Sequence, residues 1–186
     1  MDYRLRKATL EDQPTLRELI ARSIRELGSG DYSREQIDAA LRGAFGVDSA
    51  LIKDGTYFVV VTDTDDIVAC GGWSKRRTLF GSDAREGRDE SNLDPTTDAA
   101  KIRAFFVDPA HARRGLGRAL LERSETEAMN AGFSVFELMA TLPGVRLYEK
   151  FGYQAGESVT HPLPGGLTIR FVPMTKRADM PPLPPR

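Results

Sequence analysis

Apolar and polar residues alternate from Tyr3 to Ala8, the signature of a half-buried first strand. Thr9 then offers an N-cap, with Asp12 in the following turn and Pro14 near the helix start. Leu16, Leu19, Ile20, Ile24 and Leu27 recur on one helical face, and Gly28 ends the run. Ser33 and Gln36 have capping-box spacing and open a second helix, with Ile37, Ala40, Leu41 and Ala44 facing inward. Tyr57–Val61 and Ile67–Trp73 are rich in β-branched and small apolar residues and flank the turn 63–66, which predicts an antiparallel hairpin. The polar stretch 81–97 predicts a long surface loop, a candidate lid or substrate wall.

Ile102–Val107 is a strand stopped by Asp108-Pro109. A turn from Arg113 to Gly117 leads into a helix with Leu116, Leu120, Ser124 and Ala128 on one face, ended by Gly132. Ser134–Met139 is a strand, 145–151 a short helix capped by Gly152, and a hairpin runs from Tyr153 through Pro164-Gly165-Gly166 to Val172. The predicted order is β-α-α-β-β-β-α-β-α-β-β. That is an α/β fold: a mixed, mostly antiparallel sheet with helices on both faces and one strand-helix-strand crossover. Residues 1–175 are assigned to a single domain and 176–186 to a Pro-rich tail that favours polyproline II.

Composition narrows the chemistry. Lys plus Arg total 26 against 27 for Asp plus Glu, so no net charge calls for nucleic acid or an anionic membrane. One cysteine, Cys70, excludes an intrachain disulfide and a cysteine-rich zinc site, and two histidines give no basis for a metal centre. The apolar strand around Cys70 marks it as a buried, inert thiol. The N-terminus lacks a signal-peptide pattern and no apolar run spans a bilayer, so the cytoplasm is the expected compartment.

The informative stretch is Ile102–Leu121. Glycines at a helix start let the backbone approach a ligand, and the free N–H groups of the first turn make an anion site. Arg113, Arg114 and Arg118 add cations suited to phosphate. No Gly-Lys-Ser/Thr follows, which excludes a P-loop. Leu120 stands where a dinucleotide fingerprint needs its third glycine.

Phe106-Val107-Asp108-Pro109 followed by Ala112-Arg113-Arg114-Gly115-Leu116-Gly117-Arg118 resembles the acetyl-CoA motif of the GNAT acetyltransferases. Leu147-Tyr148-Glu149-Lys150-Phe151-Gly152-Tyr153 resembles that family's second characteristic segment. The resemblance implies a splayed strand pair holding acetyl-CoA. The backbone of Phe105 and Val107 would then pair with the pantetheine arm, and amides from Arg113 through Gly115, Leu116 and Gly117 to Arg118 would cradle the pyrophosphate. It also implies Tyr148 as general acid for the departing thiolate and a backbone N–H around Phe106 and Val107 for the oxyanion. The family often has Gln or Arg where Ala112 stands. It often has Asn where the segment Thr141-Leu142-Pro143-Gly144 lies, so the polar contact there passes to Thr141 or is lost.

The base is open at this stage. Glu137 is the first candidate, with Asp98 and His161 as alternatives. His111 is read as a loop residue near phosphate. Arg103 and Trp73 are ambiguous between site and scaffold. The reading that emerges is acetyl transfer from acetyl-CoA to a primary amine of a small molecule, with no metal, nucleic acid or membrane partner. Two alternatives stand beside it: acetylation of protein lysines or N-termini, and a non-catalytic CoA-binding sensor. Exposed strand edges in the C-terminal half leave a homodimer open.

Overall fold

Among the described residues, eight strands form one sheet in two halves. The computed structural model describes residues 2–178. The first half comprises β1 (Arg4–Lys7), β2 (Tyr57–Val61), β3 (Ile67–Ser74) and β4 (Ala100–Val107), all antiparallel neighbours. The second half comprises β5 (Val135–Thr141), β6 (Gln154–Ala155), β7 (Val159–Pro162) and β8 (Thr168–Arg177). The halves meet where β4 and β5 run parallel, joined by the crossover helix α4 (Leu116–Asn130). The expected mixed sheet with helices on both faces is therefore observed.

Each face has its own apolar core. α1 (Gln13–Leu27) buries Leu16, Leu19, Ile20 and Ile24 against one face, beside α2 (Arg34–Ala40) with its Ile37, Ala39 and Ala40. α4 buries Leu116, Leu120, Leu121 and Ala128 on the other. β2 and β3 are buried along their whole length, because helices cover both sides of the sheet there. Ser33 caps α2 by accepting from the Gln36 amide at 3.2 Å, and the Gln36 side chain accepts in return from the Ser33 amide at 2.8 Å.

Several elements depart from the sequence expectation. Leu27, the last residue of α1, is exposed although it falls on the apolar face. Ala44 lies beyond α2, which ends at Ala40. A third helix, α3 (Ser49–Lys53), precedes β2 and is capped by Asp48, whose side chain accepts from the Ala50 amide at 3.0 Å. The C-terminal hairpin is split: β6 pairs with the far end of β8 and β7 with its beginning. Lys176 and Arg177 pair with Phe136 and Val135 inside the sheet. Lys176 also meets Glu125 of α4 at 2.7 Å. The proline-rich segment beyond residue 178 lies outside the described residues.

Candidate active site

The site begins with a fault in the sheet. β4 and β5 pair only at Ala100↔Phe136 and Lys101↔Glu137, after which they separate. The cause lies in β4. Cys70 pairs with Phe106 and Gly72 with Arg103, so Ala104 and Phe105 together oppose Gly71. That is a β-bulge, and Ala104 takes a positive φ of 56° to make it. Two local groups hold it. The Tyr57 hydroxyl, buried beneath the sheet, donates to the Ala104 carbonyl at 2.8 Å. Gly71 leaves space for the Phe105 ring, whose atoms would stand 2.9–3.0 Å from a Cβ there. The bulge puts Arg103 and Ala104 on one face in succession, and bends β4 away from β5.

α5 (Val145–Lys150) follows β5 and carries Tyr148 into the gap. Gly117 at the start of α4 lets α5 approach, since a Cβ there would lie 3.2 Å from Leu147. The Tyr148 ring is edge-on to Phe105, with centroids 6.2 Å apart, and to Tyr153 at 5.8 Å. Burial alone raises its phenol well above the ordinary tyrosine value. It is thus a neutral hydroxyl, able to donate.

The gap opens into a cleft with a cavity of about 70 Å³. Phe105, Phe106, Thr141 and Tyr148 line it, four of the residues singled out from sequence. Its opposite wall is aromatic: Phe45, Phe80 and Phe171, with Phe45 edge-on to both Phe106 and Phe171. The lining holds no carboxylate.

Val107 and the turn from Arg113 to Gly117 lie at the other end of the gap. Arg113 and Gly115 adopt φ of 60° and 81°, and the N-terminus of α4 has no side-chain cap, so its first amides are available to an anion. Arg114 donates to the Tyr3 hydroxyl at 3.1 Å, which also meets His111 at 3.0 Å. Arg118 pairs with Glu122 one turn on, at 2.7 Å. The Val107 amide donates to Ser23 Oγ of α1 at 3.3 Å, so it already has a partner within the protein.

The base candidates fare differently. Glu137 sits at the closed end of the gap, where the strands still pair, and its carboxylate is in an ion pair with Lys101. It does not line the cleft. Asp98 receives the Asp94 amide at 2.8 Å and Arg77 at 3.3 Å, as the anchor of a loop. His161 lies edge-on to Phe80, centroids 4.9 Å apart, with burial first and the Arg85 charge second lowering its imidazole below the ordinary value. Trp73 packs edge-on to Phe133 in the core on the α4 face. Cys70 is fully buried, which pushes its thiol up to about 12.

Three features had no sequence signal. Phe45, Phe80 and Arg85 come from loops without periodicity. Arg103 proves to belong to a buried ion network: it bonds Asp48 at 2.8 Å and the carbonyls of Thr78 and Gly81 at 3.0 and 2.8 Å. Arg88 meets the same Asp48 oxygen at 2.9 Å. Ser82 binds the Gly43 carbonyl through both its amide and its hydroxyl, at 2.8 and 2.9 Å. The start of the long loop is thereby tied to the rest of the fold, and Gly81 is its one residue in the cleft lining.

A family model for acetyltransferases of the GNAT family matches residues 15–153. The chain belongs to that family. Solved GNAT structures share its fold. A GCN5-related N-acetyltransferase from Rhodopseudomonas palustris superposes with a TM-score of 0.69 at 21% identity, over 95% of this chain and 96% of its own. The PaiA N-acetyltransferase from Thermoplasma acidophilum, solved in complex with coenzyme A, gives 0.66 at 16% identity, over 95% and 99%. The putative acetyltransferase yncA from Salmonella typhimurium, solved with acetyl-CoA, gives 0.63 at 17%, over 100% and 99%. No curated protein matches the chain in sequence. The protein is an acetyltransferase of the GNAT family, and no helix among its described residues is long and apolar enough to cross a membrane.

Proposed function

We propose that this GNAT enzyme transfers the acetyl group of acetyl-CoA to a primary amine of a small molecule, by direct attack within a ternary complex. The observation that carries the reading is the cleft: a gap between β4 and β5 with a neutral, buried Tyr148 on one wall and a fixed aromatic wall opposite. The free edge of β4 around Phe105 and Phe106 suits an extended amide-bearing arm. The uncapped turn of Arg113, Arg114, Gly115, Leu116, Gly117 and Arg118 suits a pyrophosphate, and Thr141 offers a further hydroxyl.

In the reaction the amine nitrogen forms a bond to the thioester carbonyl carbon as the carbon–sulfur bond breaks. The nitrogen gives up its surplus proton to water as the amide forms, while Tyr148 donates its phenolic proton to the departing thiolate and recovers one from solvent. The ammonium form of the acceptor must first lose its own proton. With Glu137 committed to Lys101 and no carboxylate in the lining, that proton goes to water in the open cleft.

The bounded cleft favours a small acceptor over a protein chain, because the loop 81–97 is tied to the backbone of Gly43 and Val47. Replacing Tyr148 by Phe separates enzyme from sensor. Turnover is expected to fall by about a hundredfold or more while acetyl-CoA binding, read by calorimetry, persists. Unchanged turnover would remove Tyr148 from the mechanism.

A further inference from the structure

The wall facing Tyr148 has a chemical bias of its own. Phe45, Phe80, Phe106 and Phe171 form it, each in ring contact with at least one of the others. Such a surface receives an apolar body and offers neither a hydrogen-bond partner nor a counter-charge to an anionic one. Arg85 stands beside this wall, outside the lining itself but in contact with two of its members, Phe80 and Gly81. Its guanidinium lies over the Phe80 ring, 4.2 Å from the centroid, and donates to the Phe80 carbonyl at 2.9 Å. The stem crosses Gly81, which takes a φ of 106° and has no Cβ to obstruct it.

Arg85 differs from its neighbours in lacking a counter-charge. Arg103 is balanced by Asp48, and Arg88 by Asp48, Asp83 and Glu90. Among the described residues, no carboxylate pairs with Arg85. Burial first and the charge of Arg88 second act on it, both unfavourably to its cation. His161, beside the same Phe80 ring, is held toward its neutral form and supplies no negative charge either. A half-buried guanidinium with most of its donors unused is a ready carboxylate receptor.

We propose that the acceptor is an amine with an apolar body and an anionic end, a carboxylate, which pairs with Arg85 at the rim while the body lies against the Phe45, Phe80, Phe106 and Phe171 wall. This rests on the reading of the cleft as the acceptor chamber of an acetyltransferase. A diamine fits poorly, since its second ammonium would meet Arg85 with no lining carboxylate to receive it.

Matched acceptors test the inference: phenylalanine against phenethylamine, aminohexanoate against hexylamine, and aminomethylbenzoate against benzylamine, each followed by thiol release. In at least one pair the carboxylate member is expected to show a kcat/KM higher by about tenfold or more. Arg85→Gln is expected to erase that ratio through KM, and Arg85→Lys to restore part of it. Equal or better turnover of the uncharged member in every pair overturns the proposal, as does a preference that survives Arg85→Gln. Calorimetry with acetyl-CoA on the unaltered protein is run beside it. Binding without turnover of any pair overturns the acceptor class and leaves the enzyme reading standing. Absence of binding removes both.

Discussion

Arg103 enters the interior with its charge intact, its side chain 2% exposed and Asp48 opposite it 3% exposed. A buried pair of this kind adds little over a well-packed apolar pair, but breaking it leaves a stranded charge. Asp48→Ala is therefore expected to destabilise the fold by about 3–5 kcal/mol, with the lost α3 cap adding to it. Urea unfolding measures this, with Arg4→Ala as reference. The Arg4–Asp65 pair is solvent-exposed on both sides and should change stability by less than about 1 kcal/mol. Tyr148 makes a second prediction at this scale. A phenol whose value is raised by burial stays protonated through the range where an alkylammonium loses its proton. The kcat/KM profile should then rise with pH as the acceptor titrates, without a falling limb before about pH 10. A fall beginning near pH 8 would show that the hydroxyl ionises far earlier than its surroundings dictate.

At the scale of elements, the bulge in β4 organises the rest. It needs the Gly71 gap under Phe105, and the Phe105 ring in turn meets Tyr148. Gly71→Ala should cost about 1–3 kcal/mol, since a Cβ would press into ring atoms on a buried strand. It should also lower kcat, because the displaced ring moves its Tyr148 neighbour. A thermal melt and a steady-state assay decide it, and unchanged values in both would mean that Phe105 relaxes freely. The elements that frame this region were legible in the sequence: β2, β3 and β4 from their apolar content, and the turn into α4 from its glycines. The bulge was not, because a strand one residue out of register has the same composition as a regular one. α3 escaped for another reason, as five residues are too short to show a helical period. Glu137 illustrates the same limit from the other side. Alternation placed it correctly on β5, yet its partner Lys101 is set by a parallel cross-strand register that no local pattern encodes. Arg85 and Phe80, from the loop side of the cleft, leave no periodic trace at all.

Across the whole molecule, the sheet is two half-sheets joined at two residue pairs, with α4 packed on one face and α1 and α2 on the other. β4 beyond Lys101 keeps its β3 partner but loses β5, so one edge of backbone groups faces the gap. An extended ligand lying there would satisfy those groups and couple the halves, as a missing strand would. Acetyl-CoA at about a hundred times its dissociation constant should then stabilise the fold by about 2.7 kcal/mol. For a chain of this size that corresponds to a rise in melting temperature of roughly 5–10 °C. The distribution of the effect is more telling than its size. Hydrogen exchange should slow most between Arg103 and Phe106 and in the turn from Arg113 to Arg118, where amides face the gap or cap α4. Exchange in β1 should change little, because that strand pairs with β2 at the far edge of the sheet. Protection spread evenly along the chain would point to global tightening by a ligand bound elsewhere. Protection confined to β4 and the turn would mean that the fault between the half-sheets is where the ligand binds.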